Sequence, residues 1–293
     1  MSPPLTWLRQ PDLDEPLLVV MLNGWIDAGS AAAAAMGVLQ QQLSPERVAL
    51  FDGDTFIDYR ARRPVMQLRD GVNTGLVWPE IRLEAGRDER GHDVVLLSGH
   101  EPDSAWQLFA DTVVGVAVDL GVRSVVGLGA YPFAAPHTRA SRLSITASSP
   151  ELAASLPYLR NSVDVPAGMG AVLERRFDEV GVAAVGLWAQ VPHYVATYPY
   201  PAAAVSLLQG LQEVGGLALD VEPMRAEAAT HRAQLDALVA GNDEHLAMLR
   251  QLEAAYDEAV ADDRLNGPLP TGDELAAELE RFLRDQGKGP GSL

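Results

Sequence analysis

The chain has 293 residues, with 40 acidic against 22 basic side chains for a net charge of −18, and no cysteine. That length suits one large domain, or one domain with an appendage, and a core of this size needs no covalent staple. The missing cysteines exclude disulfides, thiol nucleophiles and Cys-ligated metal centres, and the acidic field disfavours nucleic acid and anionic membrane as partners.

The first fifteen residues carry Pro3, Pro4, Pro11 and three acids. They lack the basic stretch and apolar run of a signal peptide. Leu17–Leu22 is a continuous apolar run and reads as a buried strand. It is followed by the loop Asn23-Gly24-Trp25-Ile26-Asp27-Ala28-Gly29 and an Ala-rich helix from about Ser30 to Gln42. Further strands are predicted at Val48–Phe51, Val94–Leu97, Ser124–Leu128 and Ala183–Ala189. Helices are predicted from about Ser104 to Leu120, from Gly168 to Val180 and from Pro201 to Glu213. Residues 54–93 break this rhythm, and their mixed polarity points to hairpins or a side extension. No apolar stretch reaches the 18 or so residues a membrane helix needs. The expectation is therefore a soluble cytoplasmic protein.

The alternation of strand, loop and helix predicts a three-layer α/β/α fold with a mostly parallel sheet. A change of character near Asp220 divides the chain into residues 1–219, the α/β body, and residues 220–293, an acidic helical subdomain. The second part holds 16 acids and 7 bases. Leu235, Leu238, Val239, Leu246, Leu249, Leu252 and Tyr256 form a helical stripe that Gly241-Asn242-Asp243 interrupts, which predicts a helical hairpin. Thr271 and Glu274 have the spacing of a capping box ahead of an apolar face at Leu275, Leu279, Phe282 and Leu283. Residues 287–293 read as a frayed tail.

Ligands of open parallel sheets bind at the carboxyl ends of the strands. The loops there place Asn23, Gly24, Asp27, Gly29, His100, Glu101, Asp103, His137, Arg139 and His193 on one predicted rim, as a candidate pocket for a ligand or partner. Each has a plainer reading as a turn or helix cap: Asp27 or Ser30 for the Ala-rich helix, Asp103 or Ser104 for the next. Gly24 and Gly29 have the spacing of a phosphate loop, but Ser30 stands where its lysine belongs, and no dinucleotide fingerprint follows the strand. Asp52, Asp54 and Asp58 fail the calcium-loop pattern, and the six histidines show no zinc spacing. No metal or cofactor is expected. No serine sits in a nucleophile elbow. Arg60, Arg62 and Arg63 form a basic cluster suited to surface ion pairs. Trp25, Trp78, Trp106 and Trp188 are expected to pack in the body; one of them left exposed at a strand end would anchor a partner.

Taken in order, several stretches resemble the PAC2 family, named for proteasome assembly chaperone 2. They are residues 23–29, Phe51-Asp52 through Asp58-Tyr59-Arg60, Arg63-Pro64, Gly99-x-Glu101-Pro102-Asp103, Pro136-His137-Thr138-Arg139, Gly186-Leu187-Trp188, Val191-Pro192-His193-Tyr194 and Leu269-Pro270-Thr271-Gly272-Asp273. The last resembles an actinobacterial branch. The resemblance implies an α/β/α body similar to nucleoside-phosphorylase and hydrolase-like folds, a helical C-terminal addition and oligomerisation, with a trimer favoured. In eukaryotic and archaeal relatives it implies chaperoning of proteasome α-subunits. It supplies no catalytic residues. Relatives that dock on the proteasome end in a hydrophobic residue, tyrosine and one further residue, whereas this sequence ends Gly-Pro-Gly-Ser-Leu. The expectation is a non-enzymatic protein that self-associates and binds protein partners as a chaperone or scaffold. The alternative is a binder or enzyme for a nucleoside-like or other polar small molecule, using the rim residues.

Overall fold

The computed structural model describes residues 3–261. The capping box at Thr271, the apolar face after it, the tail and the Leu269–Asp273 stretch lie outside these residues. Eleven strands are present among the described residues: β1 (Leu5–Trp7), β2 (Leu17–Asn23), β3 (Glu46–Phe51), β4 (Val65–Arg69), β5 (Val72–Val77), β6 (Ile81–Arg87), β7 (Asp93–His100), β8 (Ser124–Phe133), β9 (Leu143–Ala147), β10 (Leu159–Arg160) and β11 (Ala183–Pro192). The helices are α1 (Ala31–Leu43), α2 (Gly53–Phe56), α3 (Trp106–Asp119), α4 (Pro150–Ser155), α5 (Met169–Glu179), α6 (Pro201–Gly215), α7 (Glu222–Ala240) and α8 (Asp243–Ala261). Among them no helix is long and apolar enough to cross a membrane.

Nine strands form one sheet in the order β1-β3-β6-β7-β2-β8-β11-β9-β10. Its centre, β7-β2-β8-β11, is parallel. The flanks turn antiparallel at β6 against β7 and at β9 against β11. A central parallel strand is covered on both faces, and β2 shows the result. Leu17, Val19 and Met21 join one core cluster with α1 and α6, while Leu18 and Val20 join the other with α3 and α5. On the second face Phe109 of α3 meets Phe51 and Phe56 at ring distances of 4.7 and 5.2 Å. Burying each such ring or aliphatic side chain stabilises the fold by about 1.5–3 kcal/mol.

Strand β2 leads to α1 on one face of the sheet. Strand β7, its neighbour, leads to α3 on the other face. Adjacent strands that send their chains to opposite faces leave a crevice between their carboxyl ends.

Residues 54–93 resolve into the separate hairpin β4–β5 and one strand, β6, of the main sheet. At the other end, α7 and α8 pair as a helical hairpin. Asn242 starts the second helix, its side-chain oxygen accepting the N–H groups of Glu244 and His245 at 2.9 and 3.2 Å. Val239 and Leu249 are buried, but Leu238, counted in the apolar stripe, is 71% exposed. It sits one position off the buried arc.

Candidate functional site at the strand-end rim

The parallel strands bring the predicted loops to one edge. Asn23 pairs with His100 across β2 and β7, and His193 follows β11 two strands further along. At about 4.8 Å per strand the rim from β7 to β11 spans about 14 Å.

The crevice between β2 and β7 is filled by the chain itself. The Asn23 carbonyl accepts the Glu101 N–H at 2.8 Å. The Glu101 carboxylate then reaches the first turn of α5 and accepts the Met169 N–H at 2.5 Å. A helix N-terminus favours an anion through its free N–H groups and dipole, and here a side chain supplies one. Gly24 and Gly168 permit this approach: a Cβ on Gly24 would lie 2.8 Å from the Glu101 Cβ, and one on Gly168 would lie 3.1 Å from the Trp25 ring. Asp103 is held between the Asp58 N–H at 2.9 Å and the Arg62 guanidinium at 3.1 Å. Burial, and then the nearby Arg62 charge, push the His100 pKa down.

Asp27 caps α1, its two carboxylate oxygens accepting the N–H groups of Ala32 and Ala33 at 2.8 and 3.0 Å. Burial raises its pKa, and these hydrogen bonds oppose the shift. Gly29, at φ +63°, lies where a Cβ would come within 2.7 Å of the Tyr200 Cβ. Its N–H donates to Ala196 and its carbonyl accepts from Tyr200, which ties the loop after β2 to the loop after β11.

His137 and Arg139 face the helical hairpin. The Tyr194 hydroxyl accepts the His137 backbone N–H at 2.8 Å and lies 2.7 Å from its Nδ1. The Asp236 carboxylate of α7 can only accept, so Nε2 carries the ring hydrogen and donates to it at 3.2 Å; Nδ1 of the neutral ring then accepts from the Tyr194 hydroxyl. Burial lowers the His137 pKa against the opposing pull of Asp236. Arg139 grips both oxygens of Asp257 at 2.9 and 2.6 Å and reaches Glu253 at 3.2 Å, both on α8. His193 is exposed and stands edge-on to Tyr194 at 5.4 Å.

The predicted residues thus share a rim but divide by task. Glu101 and Asp103 close the crevice, Asp27 and Gly29 set α1, and His137 and Arg139 clamp α7 and α8. Among the described residues, no hydrogen bond joins the first group to the third. An open cleft of about 370 Å³ lies at the opposite edge of the sheet, where Arg9, Leu43, Arg87 and Asp93 line it.

A further polar cluster escaped the sequence reading. Tyr131, Ser144 and Gln190 stand side by side on β8, β9 and β11. The Gln190 Nε2–H donates to the Tyr131 hydroxyl at 3.1 Å, and that hydroxyl meets Ser144 at 3.1 Å. Gly127, Gly129 and Gly186 form a floor on the same face, and a Cβ on Gly129 would lie 2.4 Å from the Trp188 ring laid over it. Thr146 accepts the Trp188 indole N–H at 3.1 Å and donates to Glu174 of α5 at 2.7 Å. Burial pushes the Glu174 pKa up to about 7. The available signal was the every-second-residue order Gly186, Trp188, Gln190, which puts all three on one face of β11.

Two tryptophans expected in the body are exposed. Trp25, beside the crevice, is 51% accessible, and Trp78, after the β4–β5 hairpin, is 47% accessible. Trp25 leans on Gly168 at the start of α5, and Trp78 stands edge-on to Tyr59 at 4.7 Å, so each ring is about half covered.

A mixed α/β/α sheet with a self-filled strand-end crevice and a clamped helical hairpin defines a class of protein rather than a reaction. The PAC2 family model matches residues 21–239, and the chain belongs to that family. A Mycobacterium tuberculosis protein of unknown function is similar at 34% identity and a TM-score of 0.82, over 90% of this chain and 92% of that one. A PAC2 family protein from Streptomyces avermitilis is 33% identical, with a TM-score of 0.73 over 80% of this chain and 99% of that one. A Mycobacterium tuberculosis proteasome-assembly chaperone homologue is 31% identical, with a TM-score of 0.74 over the same shares. No curated protein matches the chain.

Proposed function

We propose that the chain is a cytoplasmic, non-enzymatic PAC2 protein that self-associates, with a trimer as the expected form, and binds protein subunits as an assembly factor or scaffold. The observation that carries this reading is the β4–β5 hairpin. Among the described residues its two strands pair only with each other, and Val65, Met66, Leu68, Val72, Leu76 and Val77 are 46–66% exposed. A two-stranded hairpin is marginal alone in water, and bare apolar strands invite a partner. Arg60, Arg63 and Arg69 lie exposed beside it in a chain of net charge −18. A second copy therefore offers both apolar surface and complementary charge.

Two further points support the reading. Asp27, Glu101, Asp103, His137 and Arg139 of the rim are engaged in caps and clamps. One relative is described as a proteasome-assembly chaperone homologue, which suggests multi-subunit assembly as the task.

The test is light-scattering mass at micromolar concentration, joined to pull-down from the host with tagged wild type and with a Leu68→Asp/Leu76→Asp variant. The expected result is an oligomer that the variant dissociates while keeping its circular dichroism, and a set of co-purifying subunits lost with it. A strict monomer without partners would overturn the proposal.

A further inference from the structure

We propose that Arg142 and Gln190, flanked by Tyr131 and Ser144, form a binding site for a small oxyanion ligand, a carboxylate or phosphate ester that also carries a hydroxyl or amide N–H. The Gln190 N–H donates to the Arg142 carbonyl at 2.9 Å, continuing the antiparallel register of β11 with β9. The two side chains leave the same face of the sheet, with Cβ atoms about 5 Å apart. The site sits at the carboxyl end of β8 and β11, where parallel sheets hold their ligands.

Two unsatisfied atoms point to a ligand. Gln190 is 2% exposed, and its Oε1 has no hydrogen-bond partner among the described residues. Nη1 of Arg142 is likewise buried and unpartnered. No carboxylate among the described residues lies within ion-pair distance of this guanidinium, although acids outnumber bases almost two to one. A buried orphan is costly, and native proteins keep few of them.

The pair also defines what would satisfy it. An arginine N–H calls for an anionic oxygen, and the neighbouring amide oxygen calls for a donor. A cation is repelled by Arg142, and an apolar group leaves both atoms bare. The Tyr131 and Ser144 hydroxyls can turn to serve either end of the ligand. Trp188, two residues before Gln190 on the same face, reports occupancy through its fluorescence. The site shares no residue with the β4–β5 hairpin, so ligand binding and self-association stand or fall separately.

The experiment titrates the full chain with glycerol 3-phosphate, L-malate and inorganic phosphate, with glycerol as the neutral control. It reads tryptophan fluorescence and calorimetry. The expected result is saturable binding of the anions at one per chain, with no response to glycerol. Arg142→Gln should weaken binding at least tenfold. Gln190→Glu places a carboxylate opposite Arg142, so it should abolish binding and raise the melting temperature, which separates a filled site from a misfolded one. Absence of saturable binding by any anion at millimolar concentration would overturn the proposal. So would binding that Arg142→Gln leaves unchanged, or a crystal structure in which an ordered water bridges the two orphans and no probe displaces it.

Discussion

The Glu101 carboxylate accepts the Met169 N–H at 2.5 Å, so an acid that follows β7 caps a helix that begins 68 residues later. This contact joins the switch-point crevice to α5 and stabilises that helix end with both a hydrogen bond and a charge. Glu101→Ala should lower stability by about 1–2 kcal/mol in urea denaturation. Glu101→Gln should retain part of the loss, because the amide oxygen still accepts.

The His137 clamp makes part of the stability pH-dependent. Its folded pKa lies below the ordinary 6.5, chiefly through burial. The unfolded chain therefore binds a proton at a higher pH than the folded one. The contribution of His137 is complete above 6.5 and is lost as the pH falls below that value towards the folded pKa. His100 is shifted in the same direction. The stability advantage of wild type over His137→Asn should accordingly shrink between pH 7.5 and 5.5, as followed by chemical denaturation at each pH.

The body of this fold was legible because buried parallel strands are short apolar runs with glycine-bearing loops after them. Leu17–Leu22, Val94–Leu97 and Ala183–Ala189 all lie in the central sheet. Strand β6 was harder, since Ile81-Arg-Leu-Glu-Ala-Gly-Arg alternates with charges, and the buried Glu84 finds its partner in Gln40 of α1, 44 residues earlier. The rim residues were legible as an edge but not in their roles. Which N–H group Glu101 accepts depends on where α5 ends up, and that is a tertiary fact. Arg142 and Gln190 carry no motif, and they meet only through the β9–β11 register.

Glu174 titrates in the opposite sense to His137. Burial pushes its carboxyl from 4.5 up to about 7. The folded chain then holds a proton that the unfolded chain has released, so this contribution is complete below 4.5 and is lost as the pH rises through 7. Glu174→Gln should match wild type near pH 5 and exceed it by about 1–3 kcal/mol at pH 8. Urea midpoints at the two pH values decide it.

Arg139 ties residues 134–142 to α8 through Asp257 and Glu253. Arg139→Ala should speed hydrogen exchange and proteolytic nicking in α8, while the central sheet keeps its protection. Equal loss of protection in both regions would show that the clamp is not local.

The central claim is that the bare β4–β5 arm is covered by another copy of the chain. Hydrogen exchange at residues 65–77, followed over a range of protein concentrations, tests it most directly. The account predicts slow exchange at high concentration that becomes fast on dilution, in step with a fall in mass. Fast exchange at every concentration, with no change in mass, would contradict it.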